Sequence, residues 1–157
     1  MITHLHTHSR YSVMDGLLEL SELIELTTKQ GGKILAITET DGLFSQHHFI
    51  DLCRENEILP IIGFFINSPV ESVFLARKKR GLHALYDLVS LIHSGGGEEE
   101  IVSFLLAYEN EIVVLSDDLD FLNLLIKKRT KNVYVEWTPG LFCHELQNFS
   151  KKNKIPL

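Results

Sequence analysis

Three histidines occupy alternate positions near the start of the chain, His4, His6 and His8, and Asp15 follows just before Gly16. In extended backbone, side chains two residues apart leave the same face of the strand. The three imidazoles would then project together. Imidazole is the commonest metal-ligating side chain in proteins, and imidazole combined with carboxylate suits Zn, Mn or Fe. A purification tag runs its histidines consecutively, so the alternation is not of that kind. The plain alternative is a polar strand whose histidines simply pack.

Composition frames the rest. The chain has 157 residues, 45% hydrophobic and 23% charged, which is ordinary for one soluble globular domain over residues 1–157. A chain of this length can bury enough surface to fold without disulfides. Its two cysteines, Cys53 and Cys143, form no CxxC pair and fit a reducing cytoplasm. No apolar run approaches the ~20 residues that a membrane span requires, and the N-terminus lacks the basic and apolar regions of a signal peptide. The net charge of −6 argues against a direct grip on nucleic acid, because phosphate contacts need a basic face. Lys78-Lys79-Arg80 and Lys127-Lys128-Arg129 read as solvated helix or turn surface.

Strand and helix patterns alternate along the chain. Strands are expected at Ile2–Thr7, Ile34–Thr38, Pro60–Ile66, Val70–Ala76, Ile112–Leu115 and Asn132–Glu136, with one more starting at Pro156-Leu157. Helices are expected at Leu17–Gln30, closed by Gly31-Gly32, and from an N-cap at Ser45 to about Glu55. Others are expected at Arg80–His93, Glu98–Tyr108, Asp118–Lys128 and Leu141–Asn153. Such alternation predicts an α/β fold with a parallel sheet, open or closed. Function would then sit at the C-terminal strand ends, where His6, His8, Glu39, Asp41, Phe65, Asp118 and Glu136 fall. Asp117, Asp118 and Asp120 crowd a helix start, where carboxylates serve as caps. His47-His48, Trp137, Cys143 and His144 have no ligand-spaced partner.

The run His4-Leu5-His6-Thr7-His8-Ser9-Arg10-Tyr11-Ser12-Val13-Met14-Asp15-Gly16 resembles the opening motif of the PHP (polymerase and histidinol phosphatase) domain. More narrowly, it is similar to the PHP domain of bacterial DNA polymerase III alpha subunits. Four further segments resemble that family in order: Leu35–Phe44, where Thr-Asp-His-Gly-Asn-Leu-Phe is usual; Pro60-Ile61-Ile62-Gly63; Phe74–Gly81 with Leu88–Leu91; and Ile112–Ser116. The resemblance implies a distorted (β/α)7-type barrel, cut short before its last strand and its last Asp-x-His motif. It also implies a metal cluster at the barrel mouth that hydrolyses phosphoesters in active members. By that resemblance His6 and His8 match the His-x-His ligands and Asp15 an acidic ligand, whereas His4 falls at a non-ligand position.

The departures from the family are chemical. Thr40 stands at the position of a ligand histidine, with Glu39 before it in place of Asp. Phe65 stands where a bridging glutamate follows Pro-Ile-Ile-Gly. Glu71 aligns with a further histidine and Asp118 with a cysteine. A hydrolytic cluster needs bridging carboxylates and several imidazoles. His6, His8 and Asp15, with Glu39, Glu71 or Asp118 as weak substitutes, would hold one Zn or Mn ion at most. The expected role is therefore structural: a degenerate PHP domain in DNA replication, joined to the remaining polymerase domains and to replisome or proofreading subunits. The parent chain would resemble a DNA-directed DNA polymerase, a nucleotidyltransferase, with this segment inactive alone. The competing expectation is a metal-dependent phosphoesterase or 3′–5′ exonuclease.

Overall fold

A computed structural model describes residues 3–137 and 143–157, and these hold five strands and six helices. The chain divides into two compact units, residues 1–65 and 66–157.

In the first unit, α1 (Leu20–Lys29) buries Leu20, Leu23 and Ile24, and the Glu19 N–H that precedes it donates to Glu22 Oε2 at 2.8 Å. The apolar spacing predicts a start at Leu17, but Leu17 is 93% exposed. Arg10 N–H takes the Leu18 carbonyl at 2.9 Å, which holds that stretch in the preceding loop instead. β1 (Ile34–Thr40) and β2 (Leu59–Ile66) run parallel in register from Ile34–Leu59 to Thr40–Phe65. Between them α2 (Gln46–Glu55) buries Phe49 and Cys53. Ser45 precedes α2 as expected, yet its hydroxyl makes no cap and turns to Glu39 instead.

The expected first strand does not form: residues 3–8 are irregular. Thr7 nevertheless ties to β1, its N–H donating to Thr38 Oγ1 at 2.8 Å and its carbonyl accepting from Thr38 N–H at 2.8 Å. The backbone of the histidine segment is therefore pinned to β1 at Thr7 rather than laddered.

In the second unit, β3 (Ser72–Ala76) pairs antiparallel with β4 (Ile112–Ser116), and β4 pairs parallel with β5 (Val133–Val135). The expectation of an all-parallel sheet fails at β3 for a countable reason. One helix returns the chain to its starting end, so the strands around α2 and around α5 (Leu119–Lys127) are parallel. β3 and β4 are separated by two helices, α3 (Lys79–His93) and α4 (Glu98–Ala107), and β4 starts beside the end of β3. Pro156-Leu157 forms no strand, although the Pro156 carbonyl accepts from Val135 N–H at 2.9 Å. The last helix, α6, spans Cys143–Asn153; its expected start at Leu141 lies outside the described residues. Five strands thus stand among the described residues in place of seven β/α units, and in neither unit do they close into a ring. No helix among them is long and apolar enough to cross a membrane.

Burial pushes the Cys53 thiol from its ordinary 9.0 up to about 12. In a Cys143→Ser variant, Cys53 should resist alkylation at about pH 8 in the folded chain and react once the chain is unfolded. The folded pKa lies above the unfolded one, so the thiol's contribution to stability is complete below pH 9 and is lost as pH rises toward 12. The urea midpoint should fall across that window, and less steeply in Cys53→Ala.

Candidate functional site

The candidate site lies in the first unit, where the loop after the histidines meets the C-terminal ends of β1 and β2. Glu39, the penultimate residue of β1, is 1% exposed. Its carboxylate takes four donors. Ser9 N–H gives to Oε2 at 3.2 Å, Ser9 Oγ to Oε1 at 2.5 Å and Ser45 Oγ to Oε1 at 2.7 Å, while the Ser12 hydroxyl bonds Oε2. A carboxylate offers about four lone-pair directions, and here they are filled. Glu39 is thereby the clamp that closes residues 9–12 and the start of α2 onto β1. The sequence marks Glu39 as a weak ligand; Ser9, Ser12 and Ser45 carry no ligand signal and escape a reading by residue type. Their only trace is the Ser-x-x-Ser spacing directly after His8.

Gly16 completes the loop. A Cβ there would lie 1.8 Å from the Ser9 carbonyl oxygen, so the return limb of the loop touches backbone on backbone. Ser12 ties the clamp to the histidines. Its oxygen accepts from Thr40 N–H at 2.9 Å and lies 3.3 Å from His8 Nδ1.

The hydroxyl hydrogens fix the direction of the next bonds. Thr40 Oγ1 donates to Asp15 Oδ2 at 2.6 Å, so toward His8 Nδ1, 3.2 Å away, it can only accept. Ser12 has spent its hydrogen on Glu39 and also accepts. His8 Nδ1 therefore donates toward these hydroxyl oxygens, and His8 Nε2 lies 2.8 Å from His6 Nε2, so a hydrogen on one of those two nitrogens joins the rings. A single hydrogen-bonded chain runs from His6 through His8 and Thr40 to Asp15.

Phe65 flanks the pair. Its ring centroid is 4.7 Å from that of His6 and 5.6 Å from that of His8, the latter edge to face. Register explains the meeting, because Phe65 lies opposite Thr40 at the ends of β2 and β1. A cleft of about 440 Å³ opens beside them, lined by His4, His6, His8 and Asp15 and by apolar side chains that include Leu17 and Leu26. The three alternate histidines are thus brought to one cleft, and His6 and His8 into contact, without a regular strand.

The remaining expected residues lie in the second unit. Asp118 N-caps α5, Oδ1 accepting from Asp120 N–H and Phe121 N–H, both at 3.0 Å. Glu71 is exposed just before β3, and its carbonyl accepts from Ser72 and Ser116 hydroxyls at 2.7 Å each. Among the described residues, no group of three or more His, Cys, Asp or Glu side chains is arranged to hold a metal ion.

Glu39→Ala should strip three serine hydroxyls and one N–H of their acceptor in a buried setting and destabilise the chain by about 3–5 kcal/mol, read from urea unfolding. Gly16→Ala should cost about 2–4 kcal/mol through the forced contact with Ser9. Met14→Ala, at a fully exposed side chain in the same loop, should stay within about 0.5 kcal/mol of the parent.

Known proteins resemble this chain in sequence and in fold. The profile of the PHP domain matches residues 4–136. The DNA polymerase III subunit alpha of Staphylococcus epidermidis is 32% identical over 120 residues, covering 73% of this chain and 11% of that protein. Its Staphylococcus aureus counterpart is 30% identical over the same shares. The chain thus spans about a tenth of the length of the curated relatives it matches. Among solved structures, a candidate metal-dependent phosphoesterase of Bifidobacterium adolescentis superposes with a TM-score of 0.60 at 14% identity, over 98% of this chain and 84% of that one; at that identity the likeness is one of fold. With most of its length under the profile and the histidine loop seated at the ends of β1 and β2, the chain belongs to the PHP domain family.

Proposed function

We propose that this chain is the PHP module of a DNA polymerase III alpha-type replication protein, one domain over residues 1–157, in which the ancestral ion pocket no longer supports hydrolysis. It braces the neighbouring polymerase domains and, through them, replisome or proofreading subunits. The homology to part of a much longer polymerase subunit supports the setting. The observation that carries the loss of chemistry is the Phe65 ring set against both His6 and His8.

The donor set does not fit a two- or three-ion cluster. Phe65 offers no donor atom, and the Thr40 hydroxyl is committed to Asp15. The facing ring nitrogens of His6 and His8 are engaged with each other, and Glu39 is saturated by serines. Hydrolysis at such a site requires bridged ions that activate water, and the bridging carboxylate is the group replaced. A cleft without those bridges keeps its shape through the Glu39 clamp, which is what a scaffold requires.

A second reading draws on the convergence of His6 and His8 beside Asp15. If the ring hydrogen were displaced, these three would hold one Zn or Mn ion, and the domain would be a metal-dependent phosphoesterase or 3′–5′ exonuclease. Incubating the purified chain with Mn²⁺ or Zn²⁺ and bis-p-nitrophenyl phosphate separates the two. The scaffold reading expects a rate equal to that of the metal in buffer. Turnover that His6→Ala abolishes would overturn it. The double variant Thr40→His/Phe65→Glu, which restores two donor groups, should bind Mn²⁺ by calorimetry at least about tenfold more tightly than the parent.

A further inference from the structure

The net charge of −6 is unevenly placed. Residues 1–65 carry four Lys and Arg against nine Asp and Glu, whereas residues 66–157 carry eleven against twelve. Within the second unit, eight of the chain's 15 cations fall in two short stretches: Arg77, Lys78, Lys79 and Arg80 after β3, and Lys127, Lys128, Arg129 and Lys131 before β5. All eight are exposed. In the sequence, these stretches lie some fifty residues apart and read as separate solvated turns. The antiparallel pairing of β3 with β4 and the parallel pairing of β4 with β5 put the end of β3 and the starts of β4 and β5 at one end of the sheet.

The side chains show the junction directly. Arg77 N–H donates to the Glu111 carbonyl at 2.9 Å, and its guanidinium donates to Asn132 Oδ1 at 3.2 Å. Asn132 in turn donates to the Glu109 carbonyl at 2.5 Å. A Cβ on Gly81 would sit 2.1 Å from the Glu111 carbonyl oxygen, so the first turn of α3 is pressed onto the same loop. Two of the eight cations are neutralised, Lys128 by Glu99 at 3.1 Å and Lys131 by Glu109 at 2.9 Å. Among the described residues, Arg77, Lys78, Lys79, Arg80, Lys127 and Arg129 form no ion pair with a carboxylate.

Folding stability does not explain this arrangement. Lys79 and Arg80 occupy the first turn of α3, which holds no acidic residue, and the preceding Lys78 provides no side-chain cap. Cations there oppose the helix dipole and one another. The face also lacks what a protein or bilayer partner would use as an anchor, since no residue in 77–80 or 127–132 exposes a large apolar side chain. An exposed set of mostly unpaired cations with no apolar anchor is complementary to a nucleic-acid phosphate backbone, which is gripped by charge without base reading.

We infer that this end of the second unit is a sequence-independent nucleic-acid-binding face formed by Arg77–Arg80 and Lys127–Arg129. The inference rests on charge placement and stands apart from the fate of the histidine site. It replaces the expectation, drawn from net charge alone, that the segment makes no grip on nucleic acid.

The test is fluorescence anisotropy of the 157-residue chain with a labelled DNA duplex of about 20 base pairs at about 50 mM salt. Binding should weaken steeply with added salt. Lys78→Gln/Lys79→Gln/Arg80→Gln and Lys127→Gln/Arg129→Gln should each weaken binding about tenfold and flatten the salt dependence by about one unit for each phosphate no longer neutralised. The control Lys33→Gln/Arg54→Gln, in the first unit, should leave binding unchanged. All of these residues are exposed, so circular dichroism should report unaltered folding. Absence of duplex binding at low salt, or equal weakening by the control, would overturn the inference. So would binding to phosphatidylserine vesicles that excess duplex fails to displace.

Discussion

A buried carboxylate organises the first unit. A polar group as enclosed as Glu39 is costly unless its lone pairs are met, and three serine hydroxyls and one backbone N–H meet them. Those donors come from the histidine loop and from the residue before α2, so satisfying the carboxyl group closes both onto the end of β1. The cleft, the pairing of His6 with His8 and the placement of Asp15 all follow from that closure. Ser12 is the hinge between structure and site, because the same oxygen that donates to Glu39 accepts from the Thr40 backbone and faces His8.

Thr40 and Phe65, at the tips of β1 and β2, lie next to the clamp but do not belong to it. A threonine there still spends its hydrogen usefully, on Asp15, and a phenylalanine fills the space beside two imidazole rings with favourable ring contacts. Together they make one packed, hydrogen-bonded wall beside the two imidazoles.

Much of this was legible in the chain. The helices and the buried strands followed from apolar periodicity. Two expectations failed where local pattern is silent. Residues 3–8 alternate as a strand does, but a strand is defined by its partner ladder, and the segment's described backbone bonds to β1 are confined to Thr7. The sheet was expected to be parallel throughout, yet α3 and α4 lie between β3 and β4, and two helices reverse the chain twice where one reverses it once. Alternation of strand and helix by itself does not carry that arithmetic; the second helix in the connection does.

The sequence by itself determined which atoms were available: imidazoles at alternate positions, a carboxylate at 39, an aromatic ring at 65, and two basic runs. Only the tertiary structure decided what those atoms do. Glu39 became a clamp because Ser9 and Ser12, remote from β1 in the chain, fold over it beside Ser45. The basic runs became one face because strand order joins them. Residue type sets the chemistry a group can perform, while contact at a few ångströms selects one of those options, and such contacts between remote segments exist only once the chain has folded.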